Sequence, residues 1–241
     1  MQHQDLLQAE YPQATFAILS TLAGFLLYHF LGDWRSKADR SVSDLRDEGL
    51  LIRRIFLQKM WGFFSMGLLP LAGFAIMFGF SPDRFGLSAD SLLLYWPWLL
   101  VSIGAPVFVN YFLANNPSNL RQYPQMRVNR WTTGRFLLNA TGWTMYLLAY
   151  EFLFRGLLLF STYEVFGIWT AIAINVTIYS LAHLPKGSGE TLGAIPFGII
   201  LCLLTLYTGT LFFAFFMHLA LALSNDFWAI RYNPEMSFNK E

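Results

Sequence analysis

The chain has 241 residues, 55% of them hydrophobic and only 13% charged, with a mean hydropathy of +0.43 and a formal net charge of +1. Soluble domains carry roughly 25% charged residues, so the composition excludes one and describes a membrane protein. So small a net charge also excludes nucleic acid as a partner, which would require a basic face.

Seven apolar stretches of about 17–25 residues, the length a bilayer core demands, are predicted to span as helices. They fall near 13–32, 57–80, 92–114, 140–162, 165–184, 192–209 and 210–230. The first twelve residues hold Asp5 and Glu10 but no Lys or Arg. They lack the basic start of a cleavable signal, so the first span reads as a retained anchor. Loop 33–56 carries Arg35, Lys37, Arg40, Arg46, Arg53 and Arg54, with Lys59 just beyond. Loop 115–135 carries Arg121, Arg127, Arg130 and Arg135; loop 185–191 has Lys186, and the tail has Arg231 and Lys240. The intervening loops hold only Arg84. The positive-inside rule therefore places these basic loops and the C-terminus in the cytoplasm and the N-terminus outside. Their charges suit anionic lipid headgroups.

His29 falls at the inner end of the first span, as an interfacial residue would. Trp96, Trp98, Trp131 and Trp143 near span ends read as interface anchors. Asn115-Asn116-Pro117-Ser118-Asn119 and Tyr123-Pro124 interrupt the pattern. They divide an accessory region of three spans (1–134) from a core (135–230) and a cytoplasmic tail (231–241). Cys202 is the only cysteine, so no intrachain disulfide can form, and its apolar run marks it as packing.

The core concentrates ionisable groups inside apolar sequence, where each costs several kcal/mol unless paired or functional. Glu151 and Arg155 share a helical face at i,i+4; Tyr179 and His183 share one in the fifth span. His218, Ala222 and Asn225 share one in the seventh, with Asp226 turned about 100° away. Counting from a hairpin turn at 162–168, Glu151 and His183 both lie roughly 20–24 Å below the outer surface, level with each other. His218 is predicted higher, near the midplane, so convergence of the three requires tilted helices. Gly193, Pro196 and Gly198 mark the sixth span as a kinked or closely packed helix able to line a cavity. Lys186-Gly187-Ser188-Gly189-Glu190 reads as a flexible turn or as a rim admitting substrate.

A carboxylate beside an imidazole can take a proton from water and make it nucleophilic toward a peptide carbonyl. A second imidazole or an amide can stabilise the oxyanion that develops. One Glu and two His (Glu151, His183 and His218) are also a catalytic zinc ligand set, though no His-Glu-x-x-His segment occurs. No Gly-x-Ser-x-Gly elbow is present either. A proton-coupled carrier would usually show an internal repeat, and none is visible.

The residues resemble the CPBP family of CaaX proteases and bacteriocin-processing enzymes, which includes the type II CaaX prenyl endopeptidases. The resemblance covers about 135–230. The family's Glu-Glu-x-x-x-Arg motif reads Tyr150-Glu151-Phe152-Leu153-Phe154-Arg155; its aromatic-x-x-x-His motif is Tyr179 and His183. Its His-x-x-x-Asn/Asp motif is His218 followed by Ala222. Two positions depart: Tyr150 replaces the first glutamate, and Ala222 the amide or acid. The resemblance implies an all-α multi-pass protease of a bacterial-type cytoplasmic membrane, acting on a membrane-associated protein or peptide. Glu151 and His183 would activate water, His218 and Asn225 would stabilise the transition state, and Arg155 would orient Glu151, with Tyr150 and Tyr179 in support. The family has been described both with and without a metal, and the metal-free scheme is the one expected here. The alternative is a catalytically impaired membrane binding or immunity protein.

Overall fold

The computed structural model describes residues 10–38 and 48–238. Asp5, Arg40, Arg46 and Lys240 lie outside the described residues, as do the side chains of Glu10, Arg35 and Lys37. Long runs free of interior charge have only one way to satisfy their backbone in lipid, and they form helices. In chain order these are α1 (Glu10–Ala38), α2 (Glu48–Phe63), α3 (Leu69–Phe78), α4 (Asp90–Leu94) and α5 (Trp96–Leu113). Then follow α6 (Pro117–Leu120), α7 (Thr133–Glu151), α8 (Phe160–Leu181), α9 (Ser188–Thr208) and α10 (Phe212–Tyr232). A π-helical turn, Phe64–Leu68, joins α2 to α3, and a longer one, Phe152–Leu159, joins α7 to α8. The fold is all-α, as expected, with one two-residue pairing besides. Arg130–Trp131 pairs in parallel with Ser237–Phe238, tying the tail to the loop before α7.

Among the described residues, six helices are long and apolar enough to cross a membrane. The expected fourth and fifth spans both lie in one of these, a helical run from Thr133 to Leu181. That run is broken only at Gly167, whose φ of 75° lies in a region open to glycine. Beyond it the chain returns along itself: Asn175 Nδ2 donates to Phe154 O (2.6 Å), and the Tyr179 ring packs on Phe154 and Tyr150.

Two features set the depth of everything else. The π segment carries i→i+5 bonds, so it holds more residues per turn and advances less per residue than an α-helix. All eight of its residues are buried. The turn between α9 and α10 is recessed. Thr210 Oγ1 donates toward the carbonyls of Gly86 (2.9 Å) and Ser88 (2.8 Å), and Leu211 N–H donates to Gly86 O (3.0 Å). Gly86 has φ 65°, and a Cβ there would lie 2.8 Å from the Phe160 ring. Gly156 likewise lets Leu211 and Phe85 close in, since a Cβ on it would meet each at 3.2 Å.

The core runs continuously through both halves of the chain. Ala17, Met66, Phe74 and Phe85 pack in one cluster with Leu147, Leu153, Leu157, Tyr179 and Phe215. The interface anchors divide: Trp96 and Trp98 are exposed, whereas Trp131 and Trp143 are buried in the core. Cys202 is buried and free.

Candidate active site

The site grows from the end of α7. Glu151 is its last residue and fully buried, and Arg155, one turn later in the π segment, is fully buried too. Their side chains meet with Arg155 Nη1 at 3.1 Å from Glu151 Oε2, and the guanidinium lies over the Tyr179 ring at 4.3 Å. Gly198 on α9 leaves room for that tyrosine, as a Cβ there would come within 3.1 Å of it. The other carboxylate oxygen, Oε1, receives His218 at 2.6 Å from Nδ1. An ionised carboxylate can only accept, so Nδ1 carries the proton and Nε2 keeps its lone pair.

This pairing differs from the expected one. Glu151 meets His218, not His183, and the reason is depth. Glu151 lies five residues inward of Gly156 along the shortened π segment, less than about 7 Å, and His218 seven inward of Leu211, about 10 Å. Because Gly156 and Leu211 touch, the two side chains come level. Counting both hairpin turns from a common outer surface misses the recessed one. His183 is displaced inward instead. The pairs 154–175 and 150–179 put the register of the α7–α8 hairpin so that residue 183 falls opposite 146, more than a turn below Glu151.

His183 donates Nδ1–H to Tyr179 O at 2.8 Å, since a carbonyl only accepts, and stacks near the Tyr179 ring at 4.7 Å. Burial, then the charge of Lys186, pushes its pKa down to about 3, so it stands as a neutral imidazole. Among the described residues, no three His, Cys, Asp or Glu side chains gather as a metal ion would need. Glu151 and His218 are engaged with each other, and His183 faces a carbonyl, so the zinc set does not assemble here.

Both histidines border one cavity of about 630 Å³, together with Tyr150, Tyr179, Ala222 and Asn225. Glu151 does not line it; His218 stands between the carboxylate and the space. The His218, Ala222 and Asn225 face of α10 does point to the cavity, as their spacing predicts. Asn225 is engaged there in a reciprocal amide pair with Asn119 of α6 (2.9 and 3.2 Å). Tyr150, in the position of the first glutamate, packs 5.7 Å from the His218 ring. Asp226 turns away and is buried against Asn139 and Trp143 (2.8 and 2.7 Å).

Walls also come from the region 1–134: Phe25, Tyr28 and His29 of α1, Lys59 of α2 and Asn110 of α5. His29 thus borders the cavity. At the rim, Lys186 pairs with Glu190 (3.2 Å) and donates to Tyr123 Oη (3.1 Å). Burial alone would lower the Lys186 pKa, but Tyr123 and Glu190 outweigh it and hold the ammonium above its usual value. Tyr123, Lys59 and Asn119 were not singled out as site residues by sequence. Lys59 alone left a signal, a cation inside the apolar run from Leu57 to Phe64.

Residues 123–224, less than half of the chain, match the family model described as type II CAAX prenyl endopeptidase Rce1-like. Searches of curated proteins and of solved structures return no match. The matched stretch contains the Glu151–Arg155 pair, the Tyr179–His183 pair and His218, within a multi-pass, all-α membrane protein. Over residues 123–224 the chain is therefore similar to the type II CAAX prenyl endopeptidase Rce1-like family, in line with its three motifs.

Proposed function

We propose that the protein is an intramembrane endopeptidase that hydrolyses a peptide bond in a membrane-associated protein or peptide, using water activated by a Glu–His pair. The observation that carries this reading is the 2.6 Å contact of Glu151 with His218, whose ring borders the cavity. His218 Nε2 takes a proton from water, and the hydroxide adds to the substrate carbonyl carbon. Glu151 holds the ring in the required tautomer and stabilises the imidazolium; Arg155 holds Glu151. As the C–N bond breaks, His218 returns the proton to the leaving amine. Tyr150 Oη and the spare amide hydrogen of Asn225 are the donors for the oxyanion. His183 is neutral, with its Nε2 lone pair available to orient the water or the leaving amine. No step is routed through a metal.

Substrates reach the cavity from the side of the basic loops, the cytoplasmic side by the positive-inside rule, in a bacterial-type cytoplasmic membrane. In the test, membranes containing the protein are incubated and new peptide termini identified by mass spectrometry. They are expected with the wild type and absent with Glu151→Gln and His218→Asn. Termini that persist in both variants overturn the assignment. A binding or immunity role is the second reading, favoured by Tyr150 and Ala222 in place of the family's residues; it predicts unchanged protection or partner binding in the same two variants.

A further inference from the structure

We infer that Asn175 and Cys202 are positioning residues of the hydrolytic site, which hold the Arg155 guanidinium on Glu151 and so keep Glu151 on His218. The inference rests on the peptidase reading and adds two side chains that never touch a substrate, since neither borders the cavity. Arg155, Asn175 and Cys202 are all fully buried. A guanidinium carries five N–H donors. Nη1 meets Glu151, while Nε and Nη2 have no nitrogen or oxygen partner among the described residues. The Cys202 thiol of α9 neighbours this guanidinium.

Asn175 decides which side of the thiol faces the cation. The carbonyl of Phe154 can only accept, so the amide nitrogen of Asn175 is the group 2.6 Å from it. That leaves Oδ1 toward Cys202, where the S–H donates to it at 3.3 Å. With its hydrogen committed to Asn175, the sulfur turns lone pairs to Arg155. Asn175 also pins the π backbone at Phe154, the residue before Arg155. A polar chain therefore runs from Phe154 through Asn175, Cys202, Arg155 and Glu151 to His218, joining α8 and α9 to α10. Packing alone does not call for it. Cys202 lies in an apolar cluster with Leu159, Ala171, Ile172 and Val176, where a buried asparagine is costly unless it is bonded. The consequence is catalytic, because a misplacement of about 1 Å in a hydrolytic site can cost about 10²-fold in rate.

The test compares Cys202→Ser with Cys202→Val in membranes containing the full chain, reading the initial rate at which new peptide termini appear by mass spectrometry. Serine keeps a hydrogen for Asn175 and lone pairs for Arg155; valine fills the space and keeps neither. The rate is expected within about three-fold of wild type in Cys202→Ser and about ten-fold lower in Cys202→Val, the worth of one hydrogen bond to a charged group. Cys202→Ala, which cannot overpack, should lose as much as valine. A packing role predicts the reverse order, because serine buries a hydroxyl among apolar side chains. That order, or equal rates in serine and valine, would overturn the inference. Asn175→Leu should match Cys202→Val, and the two together should be no slower than the slower single variant, as members of one chain act as a unit. A second readout needs no activity: in detergent, Cys202→Val with Arg155→Met should lower the unfolding temperature by less than the sum of the single falls. A fall equal to the sum would also overturn the inference. Failure of the peptidase reading appears separately, as termini that persist in Glu151→Gln, and the unfolding temperatures then still decide whether Cys202 holds Arg155.

Discussion

Two buried charge clusters stand about two helical turns apart along α7 and are built on opposite principles. Around Glu151, every charge has a direct partner: Arg155 at 3.1 Å on one oxygen and His218 at 2.6 Å on the other. Around Lys59, the cation and Asp226 are held apart by the ring of Trp143. A closed pair leaves only the far nitrogen of its histidine to act, which suits proton transfer. A separated pair leaves an ammonium with capacity to bind.

The largest effects are expected at the closed cluster. Glu151→Gln should lower the rate of appearance of new peptide termini by about 10³-fold, because His218 loses its anionic partner. Arg155→Met leaves a buried carboxylate short of its counter-ion and should cost about 3–5 kcal/mol of stability, read by thermal unfolding in detergent. Adding Glu151→Gln to Arg155→Met should restore part of that loss; a double variant less stable than Arg155→Met would contradict the pairing. At the open cluster the effects are smaller. Gly142→Ala pushes against the Lys59 stem at 2.9 Å and should cost about 1–3 kcal/mol by overpacking, read by thermal unfolding in detergent.

The least effect is expected from acid. The His183 pKa falls from its ordinary 6.5 to about 3 in the folded protein, so the unfolded chain binds the extra proton first. Its contribution to stability is complete above pH 6.5 and is lost as pH falls toward 3. Unfolding temperatures at pH 7.5 and pH 4.5 should therefore differ less in His183→Gln than in the wild type. An equal difference would show that His183 is not the group protonated.

Much of this was legible in the residues. Glu151, Arg155, Tyr179, His183 and His218 stand out because ionisable groups in apolar runs are costly, and all but Glu151 and Arg155 border the cavity directly. The cavity-facing stripe of His218, Ala222 and Asn225 follows from helical spacing alone. Lys59 was harder to read: it interrupts an apolar run, but its charge looked continuous with Arg53 and Arg54, and burial sets it apart from them. The partner of Asn225 was invisible, because Asn119 belongs to a four-residue helix in a segment that reads as a break.

Apolar run lengths, basic loops and i,i+4 spacings are local quantities, and they determined that this is a multi-pass helical membrane protein with a Glu–Arg pair and two histidines inside it. Which histidine meets Glu151 is not local. It depends on how far each helix advances from its turn, and two features alter that distance. The π segment at 152–159 shortens the advance of one chain, and the clamp of Thr210 and Leu211 on Gly86 recesses the start of α10. Only the tertiary structure sets both, because each is held by contacts between residues far apart in the chain.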